Sequence, residues 1–186
     1  MLDLFSVYSR LVGSFVVATF AMHGTIYLYL KTEGELQERA HGWMWRTFGG
    51  FLVMYLLTTI VTLQTVPHAT EYFSTYPIAW VVVVLNVLAV ANIPRAIHQG
   101  RPGYAFLSSS ATIAALSFLF AAAIFPNLVR ADVLEHSMTL YNSSSSQGTL
   151  QIMQIMAFLG APLVLTYTAI IYWVFRGKGE LVENSY

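Results

Sequence analysis

The sequence predicts an all-α, polytopic integral membrane protein with five transmembrane helices. Its 186 residues include nine Lys/Arg and nine Asp/Glu. All of these charges fall outside five long uncharged stretches, at residues 11–30, 47–70, 72–94, 102–129 and 136–175. A charge at the bilayer centre costs roughly 2.5–3.5 kcal/mol on insertion scales, and about 20 apolar residues cross the hydrocarbon core as a helix. Because a soluble domain needs charges at regular intervals along its surface, their exclusion in blocks indicates membrane spans.

The composition supports this class and excludes several others. The chain is 56% hydrophobic and 10% charged, whereas soluble domains are about 25% charged. Its net charge is zero, so electrostatics do not favour a nucleic-acid partner. The absence of cysteine excludes disulfides, iron–sulfur clusters and thiolate zinc sites. The first residues lack the basic region and cleavage site of a signal peptide, so we expect the first hydrophobic segment to be retained.

Prolines and charges set the bounds of the predicted spans. These are about 5–30, 47–66, 77–94, 104–125 and 150–175. The second span stops before Pro67, and the third has Pro77 in its first turn, where the missing N–H costs little, and ends at Pro94. The fourth is closed by Pro126. Pro162 lies inside the fifth, where we expect it to kink the helix or to pack against a neighbouring one.

Loop charges predict the orientation. Seven Lys/Arg lie in the connections 31–46 and 95–103 and in the C-terminal tail, against Arg10 and Arg130 on the other side. The positive-inside rule therefore places the N-terminus outside and the C-terminus in the cytoplasm. Aromatic residues near the span ends are typical of an interfacial belt; they are Trp43, Trp45, Tyr72, Tyr76, Trp80, Tyr172 and Trp173.

Few residues inside the spans could carry chemistry. His23 is in the middle of the first predicted span, and an ionisable residue at membrane depth suggests a function. No second His and no carboxylate lies within a span, so we favour a structural hydrogen bond to a neighbouring helix. A proton or quinone contact and haem ligation are the alternatives. Gln64, Asn86 and Asn92 are expected to form interhelical hydrogen bonds.

The sequence KTEGELQERA, residues 31–40, is the most highly charged part of the chain, and we call it the charged segment. Glu35 and Arg39 are one helical turn apart, which favours an ion pair. We expect the segment to continue the first helix into the cytoplasm as a solvated end, with a partner-docking surface as the alternative. No nucleophile with its base, phosphate loop or closed metal site is recognisable, so we predict no catalytic, cofactor-binding or metal-binding residue.

Three groups of residues resemble subunit II of the cytochrome bd-type (cytochrome d) ubiquinol oxidases. The first is His23-Gly24 with Tyr27-Leu28 and the charged segment, which is the most specific match. The others, in family order, are FPNLV (125–129) with SMTLYNSSS (137–145) and TLQIM (149–153), then Tyr167-Thr168, Tyr172-Trp173 and FRGK (175–178). The chain departs from the family at Arg130-Ala131-Asp132, where Pro-Ser-Ser is frequent.

The resemblance implies both a fold and a role. Family members have nine spans in two four-helix bundles plus one peripheral helix, and this chain is similar to the C-terminal five only. Residues 1–186 are thus expected to form a single membrane domain, a four-helix bundle with a peripheral helix. The Asp-Gly-Phe-Asp-type motif and the intramembrane acids of the N-terminal half are absent, so we expect a fragment or a split half.

In the family, haem b and haem d are in subunit I, which oxidises quinol, and subunit II is a haem-free partner. The resemblance therefore implies no cofactor in this chain, a location in the bacterial inner (plasma) membrane, and subunit I as partner. Membrane lipid and a structural quinone are further candidate partners. The alternatives are a small transporter or permease component, which would show an internal repeat or broken helices, and an anchor for another complex.

Overall fold

A computed structural model describes residues 6–66, 70–129, 131 and 134–178, without the side chains of Glu71 and Leu134. The chain divides into two compact units, and the boundary between them follows Phe125. Pro67, Arg130 and Asp132, which entered the predictions above, lie outside the described residues.

The first unit is a four-helix bundle. Its elements are α1 (Val7–Lys31), α2 (Gly34–Thr65), the short α3 (Glu71–Thr75), a 3-10 turn (Pro77–Ala79), α4 (Trp80–His98) and α5 (Pro102–Ile124). Short turns make α1–α2 and α4–α5 antiparallel hairpins, and further contacts of α1 with α5 and of α2 with α4 close the bundle. The predicted four-helix bundle is therefore confirmed.

Large apolar side chains fill the centre of this bundle. Phe51, Met22, Ile26, Met44 and Ile93 are the largest of the fully buried ones. They come from α1, α2 and α4, and Ala105 of α5 packs against the same cluster. Most other apolar side chains of the bundle are exposed, as expected for helices that meet lipid tails on their outer faces.

The second unit contains a small β-ladder and one long helix. Strand β1 (Asn127–Val129) pairs antiparallel with β2 (Met138–Thr139), a 3-10 turn (Leu134–His136) lies between them, and α6 (Gln147–Val174) follows. The Asn142 amide organises the turn, because its Nδ2 donates to the Ser137 carbonyl at 2.9 Å and its Oδ1 accepts from the Thr139 N–H at 2.7 Å. None of the residues of α6 is buried.

Among the described residues, five helices are long and apolar enough to cross a membrane: Val7–Lys31, Gly34–Thr65, Pro77–His98, Pro102–Ile124 and Gln147–Val174. Each of them overlaps one of the five predicted spans. The all-α, polytopic architecture is therefore confirmed, with the bounds of two helices, α2 and α4, corrected. The predicted orientation stays a prediction, because the length and composition of a helix do not show which of its ends faces the cytoplasm.

The first correction concerns the charged segment, which does not continue the first helix. Helix α1 ends at Lys31, Thr32 and Glu33 are extended, and Gly34 opens α2 with a φ of 62°. Glycine adopts a positive φ without the steric penalty that a Cβ imposes. The segment therefore opens the second helix, which begins at residue 34 and not at 47.

The second correction concerns α4, whereas α6 agrees with the fifth predicted span. Helix α4 runs through Pro94 to His98, because a membrane helix can tolerate the one backbone hydrogen bond that proline removes. Gly100, with a φ of 63°, then ends it: the Gly100 N–H donates to the Ile97 carbonyl and the Arg101 N–H to that of Ala96. Helix α6 begins at Gln147 and continues past Pro162.

Candidate functional site

Polar residues inside the bundle, some buried and others half-buried, form hydrogen bonds between helices at neighbouring levels, and we call this set the polar layer. It consists of His23, Tyr55, Asn86, Asn92, Ser108, Ser109 and Thr112. The local sequence of α5 explains its position. Ala105, Ser108, Ser109 and Thr112 are all buried and are spaced i, i+3, i+4 and i+7, so they form one helix face of small side chains. Small side chains let the neighbouring helices approach closely.

His23 binds this face of α5 from α1. Its Nδ1 lies 2.8 Å from Ser109 Oγ, and Ser109 Oγ itself donates to the Phe106 carbonyl at 2.9 Å. Because the serine hydroxyl has one proton, both bonds form together in the tautomer in which the His23 Nδ1–H donates. The imidazole ring also stacks on Phe106, with 4.8 Å between ring centroids. The predicted hydrogen bond of His23 to a neighbouring helix is confirmed, and its structural role stays a prediction.

The level of His23 along the bundle follows from the pairing of α1 with α2. The Phe15 ring lies 5.9 Å from that of Phe51, and the Tyr29 ring lies 5.6 Å from that of His41. Interpolation along the antiparallel pair places His23 level with Arg46, the last charge before the second uncharged stretch. His23 therefore lies opposite the start of the second uncharged stretch, residues 47–70, and its depth in the membrane stays a prediction.

Asn86 joins three helices at the centre of the polar layer. Tyr55 Oη on α2 donates to Asn86 Oδ1 at 2.9 Å, and Asn86 Nδ2 donates to the Thr112 carbonyl on α5 at 3.3 Å. Asn86 is fully buried. The Thr112 carbonyl oxygen has two lone pairs, so it can accept the Asn86 bond in addition to a hydrogen bond within its own helix. Asn86 thus fixes the relative position of α2, α4 and α5.

Asn92 makes a second link between α4 and α5, because its Nδ2 donates to Ser108 Oγ at 2.8 Å. The interhelical hydrogen bonds predicted for Asn86 and Asn92 are both confirmed. Gln64, the third amide of that prediction, has an exposed side chain near the end of α2 and lies outside the polar layer.

The composition of the polar layer indicates what it can do. It contains amides, hydroxyls and one imidazole but no carboxylate, and the described part of the chain holds no group of three or more His, Asp or Glu side chains that could bind a metal ion. Its hydrogen bonds connect helices to one another. The layer is therefore suited to fixing helix register, and the absence of catalytic residues stays a prediction.

The charged segment contains the predicted ion pair. Arg39 Nη2 lies 2.6 Å from Glu35 Oε1, one helical turn away, and the two side chains are 72% and 78% exposed. Exposed pairs of this kind contribute at most about 1 kcal/mol. The pair thus adds little stability to α2, and both side chains can exchange partners.

Three arginines near the ends of the predicted spans stack on aromatic rings. The Arg46 guanidinium carbon lies 5.7 Å from the Trp43 ring centroid, that of Arg101 5.9 Å from Tyr104, and that of Arg176 4.3 Å from Trp173. Most of the predicted belt residues are exposed, as the belt requires. Tyr72 is an exception, since its ring contacts those of Tyr76 and Phe125 at 4.9 and 5.7 Å.

Sequence reasoning missed Tyr55, Phe106 and the α5 face. The small-residue spacing of that face, at positions 105, 108, 109 and 112, was a detectable signal in an uncharged span. Nothing in the sequence distinguishes Tyr55 or Phe106 from the other aromatic residues. Tyr55 matters because it lies opposite the Asn86 amide, and Phe106 because it lies against the His23 imidazole, and both placements are set by helix packing.

One buried hydroxyl gives a testable stability prediction. Thr58 Oγ1 is buried and has no hydrogen-bond partner among the described residues. The substitution Thr58→Val keeps the shape and removes that group, so we expect unfolding free energy to stay equal or to rise by about 1 kcal/mol. Thermal unfolding of the purified chain in detergent measures this. Thr112→Val is the comparison, because the Thr112 hydroxyl donates to the Ser108 carbonyl. If Thr58→Val lowered the unfolding free energy more than Thr112→Val does, the Thr58 hydroxyl would have a hydrogen-bond partner after all.

The fold and the polar layer define a multi-pass α-helical membrane protein whose four-helix bundle is held in register by buried polar side chains. A family model described as cytochrome bd terminal oxidase subunit II matches residues 1–175. The chain therefore belongs to the cytochrome bd terminal oxidase subunit II family. With its five apolar helices, this makes it a multi-pass protein of the bacterial inner membrane.

Individual relatives agree with the family match. The chain is 25% identical to cytochrome bd-I ubiquinol oxidase subunit 2 of Escherichia coli (strain K12), over 99% of this chain and 56% of the relative. It is 27% identical to cytochrome bd ubiquinol oxidase subunit 2 of Bacillus subtilis (strain 168), over 95% and 52%. A probable cytochrome oxidase subunit 2 of Haemophilus influenzae is 25% identical, over 95% and 53%. The chain spans about half the length of these relatives.

Proposed function

We propose that the chain is a haem-free part of a respiratory cytochrome bd-type quinol:oxygen oxidoreductase and supports the haem-bearing subunit I in aerobic electron transport. The observation that carries the proposal is the family match over residues 1–175. Haem b and haem d would reside in subunit I, and membrane lipid and a structural quinone are the proposed small-molecule partners. We also propose that residues 1–186 act as one membrane domain.

The character of the polar layer supports a structural role. Its side chains bond to side chains and a backbone carbonyl of neighbouring helices, and a network of this kind makes the packing of a bundle rigid. The predicted spans contain no Asp or Glu, which proton-relay chains in membrane proteins commonly use. The helices are also unbroken between their ends, whereas transporters of the broken-helix type bind substrate at interrupted helices. A supporting subunit fits these observations better than a transporter.

Helix α6 supports the presence of a protein partner. Gln147, Gln151, Gln154, Thr168 and Tyr172 lie within about 100° of one another around this helix, given its 3.6-residue period. We call this the glutamine face; all five side chains are exposed within their unit. Gln151, Gln154 and Thr168 lie inside the predicted span of residues 150–175, where a polar side chain favours a protein group over lipid as its partner. The glutamine face is therefore the proposed contact with subunit I.

The test replaces two amides of the glutamine face. We expect Gln151→Leu combined with Gln154→Leu to lower the haem that co-purifies with the tagged chain about threefold, because interhelical polar contacts are worth roughly 0.6–1.7 kcal/mol in membranes. Optical spectra of the purified complex measure haem per chain. Met156→Leu, on the opposite side of α6, is the matched control. Equal haem in all variants would reject the glutamine face, and no haem with the unmodified chain would reject the proposed function.

The predicted orientation can be tested with single cysteines, because the chain has none of its own. We expect Ser144→Cys to react with a membrane-impermeant maleimide in intact spheroplasts, since residues 126–149 are predicted to lie outside. Gln99→Cys, in the turn between α4 and α5, should react only after the membrane is permeabilised. Both positions are exposed. The opposite labelling pattern would reverse the topology.

A further inference from the structure

A groove opens between α1 and α2 near the turn that joins them. It has a volume of about 350 Å³ and is lined by Thr25, Leu28, Leu36, Arg39, Ala40 and Trp43. Ligand pockets in proteins begin at about 300 Å³. The lining is apolar except for the Thr25 hydroxyl, which donates to the Ala21 carbonyl, and the Arg39 guanidinium. The groove therefore combines an apolar wall with one cationic group.

The depth of the groove matches that of a lipid head group. Arg39 lies five residues into α2 and Trp43 one turn further, while the uncharged stretch of α2 begins after Arg46. Trp and Arg side chains are typical of the boundary between hydrocarbon and head groups. A ligand in this groove would thus have its polar end beside Arg39 and its apolar end directed along Trp43 toward the membrane interior.

The charge around the groove favours an anion. Arg39 and Arg46 lie on the same side of α2, with Trp43 between them and the Arg46 guanidinium over its ring. Glu35 is the one acid on that side, because Glu38 lies about 140° around the helix from Trp43. The sum for this side is one net positive charge. A phosphodiester supplies the complementary charge, and guanidinium groups bind it well.

We infer that the α1–α2 groove is a binding site for an anionic glycerophospholipid, with its phosphate on Arg39 and the start of an acyl chain against Leu28, Leu36 and Trp43. Arg39 can accept this partner because its present one, Glu35, is solvent-exposed and weakly held. The inference rests on the membrane location of the helices and not on the proposed oxidase role. It can therefore fail or hold independently of that role.

The test measures lipid binding to the full chain, purified with any subunits that accompany it, by native mass spectrometry. The probes are dioleoyl phosphatidylglycerol, which is anionic, and dioleoyl phosphatidylcholine, which is zwitterionic. We expect Arg39→Gln to weaken phosphatidylglycerol binding about fivefold, the contribution of one basic residue near a membrane surface. Glu35→Gln frees Arg39 and should strengthen binding about twofold. Both side chains are exposed, so neither substitution should disturb folding.

The matched control is Arg101→Gln. Arg101 lies at the same end of the bundle and also stacks on an aromatic ring, that of Tyr104, but it does not line the groove. Its replacement should leave phosphatidylglycerol binding unchanged. If the Glu35–Arg39 pair had only a structural role, Arg39→Gln and Glu35→Gln would change phosphatidylglycerol binding in the same direction. That result would overturn the inference. Equal binding of the two lipids to the unmodified chain would also overturn it.

Discussion

Replacing Phe51 with Ala is expected to lower the free energy of unfolding by about 3–5 kcal/mol, the usual effect of removing a fully buried phenyl ring. Phe51 is 0% exposed at the centre of the bundle. Its ring lies 5.9 Å from that of Phe15, 6.3 Å from that of Phe48 and 5.8 Å from that of Tyr55. The substitution therefore opens a cavity and removes three ring contacts between and within α1 and α2.

Thermal unfolding in detergent, followed by circular dichroism, measures this effect. For a chain of this size 1 kcal/mol shifts the midpoint by about 2–4 °C, so a fall of roughly 6–20 °C is expected. The control is Phe120→Ala on α5, whose side chain is 66% exposed and leaves no cavity when it is truncated. Similar midpoints for the two variants would show that Phe51 does not lie in the core.

Replacing Asn86 with Ala is expected to lower the free energy of unfolding by about 2–3 kcal/mol. The lost interhelical hydrogen bonds contribute roughly 0.6–1.7 kcal/mol each, and the cavity that is left contributes the rest. The substitution leaves the Tyr55 hydroxyl without its acceptor and removes the amide that binds the Thr112 carbonyl. Asn92→Ala removes a single bond, to Ser108 Oγ, and should cost about 1 kcal/mol. Gln64→Ala, at an exposed position, should have no measurable effect.

A double-mutant cycle isolates the Tyr55–Asn86 bond. Tyr55→Phe removes the donor alone, so its cost should largely disappear when Asn86 is already Ala. We expect an interaction free energy of about 1 kcal/mol between the two positions. Additive effects of the two substitutions would show that the hydrogen bond contributes nothing to stability.

The five spans and their approximate positions could be predicted from the sequence because the cost of burying a charge in a bilayer acts on each residue separately. Uncharged blocks such as residues 102–129 therefore identify a span without any knowledge of its neighbours. The same local reasoning anticipated that Asn86 and Asn92 would bind other helices, since an amide at membrane depth requires a partner.

Local reasoning failed where the backbone turns. The charged segment has good helix formers on both sides of Gly34, and the ion pair of Glu35 with Arg39 fits either helix equally well. Its assignment to α2 depends on the chain reversal at Thr32–Gly34, where Gly34 adopts a positive φ. At Pro94 the prediction placed the end of a helix where there is none. Helix α4 continues through Pro94 to His98.

The sequence by itself determined that this chain has five membrane spans and that Asn86 and Asn92 need partners on other helices. Only the tertiary structure decided the pairs: His23 with Ser109, Tyr55 with Asn86, and Asn92 with Ser108. Hydrophobicity and helical period are properties of one segment, so they determine whether a helix forms and which of its faces is polar. The identity of the partner depends on the order and register in which four helices pack, and these are set by contacts between residues far apart in the chain.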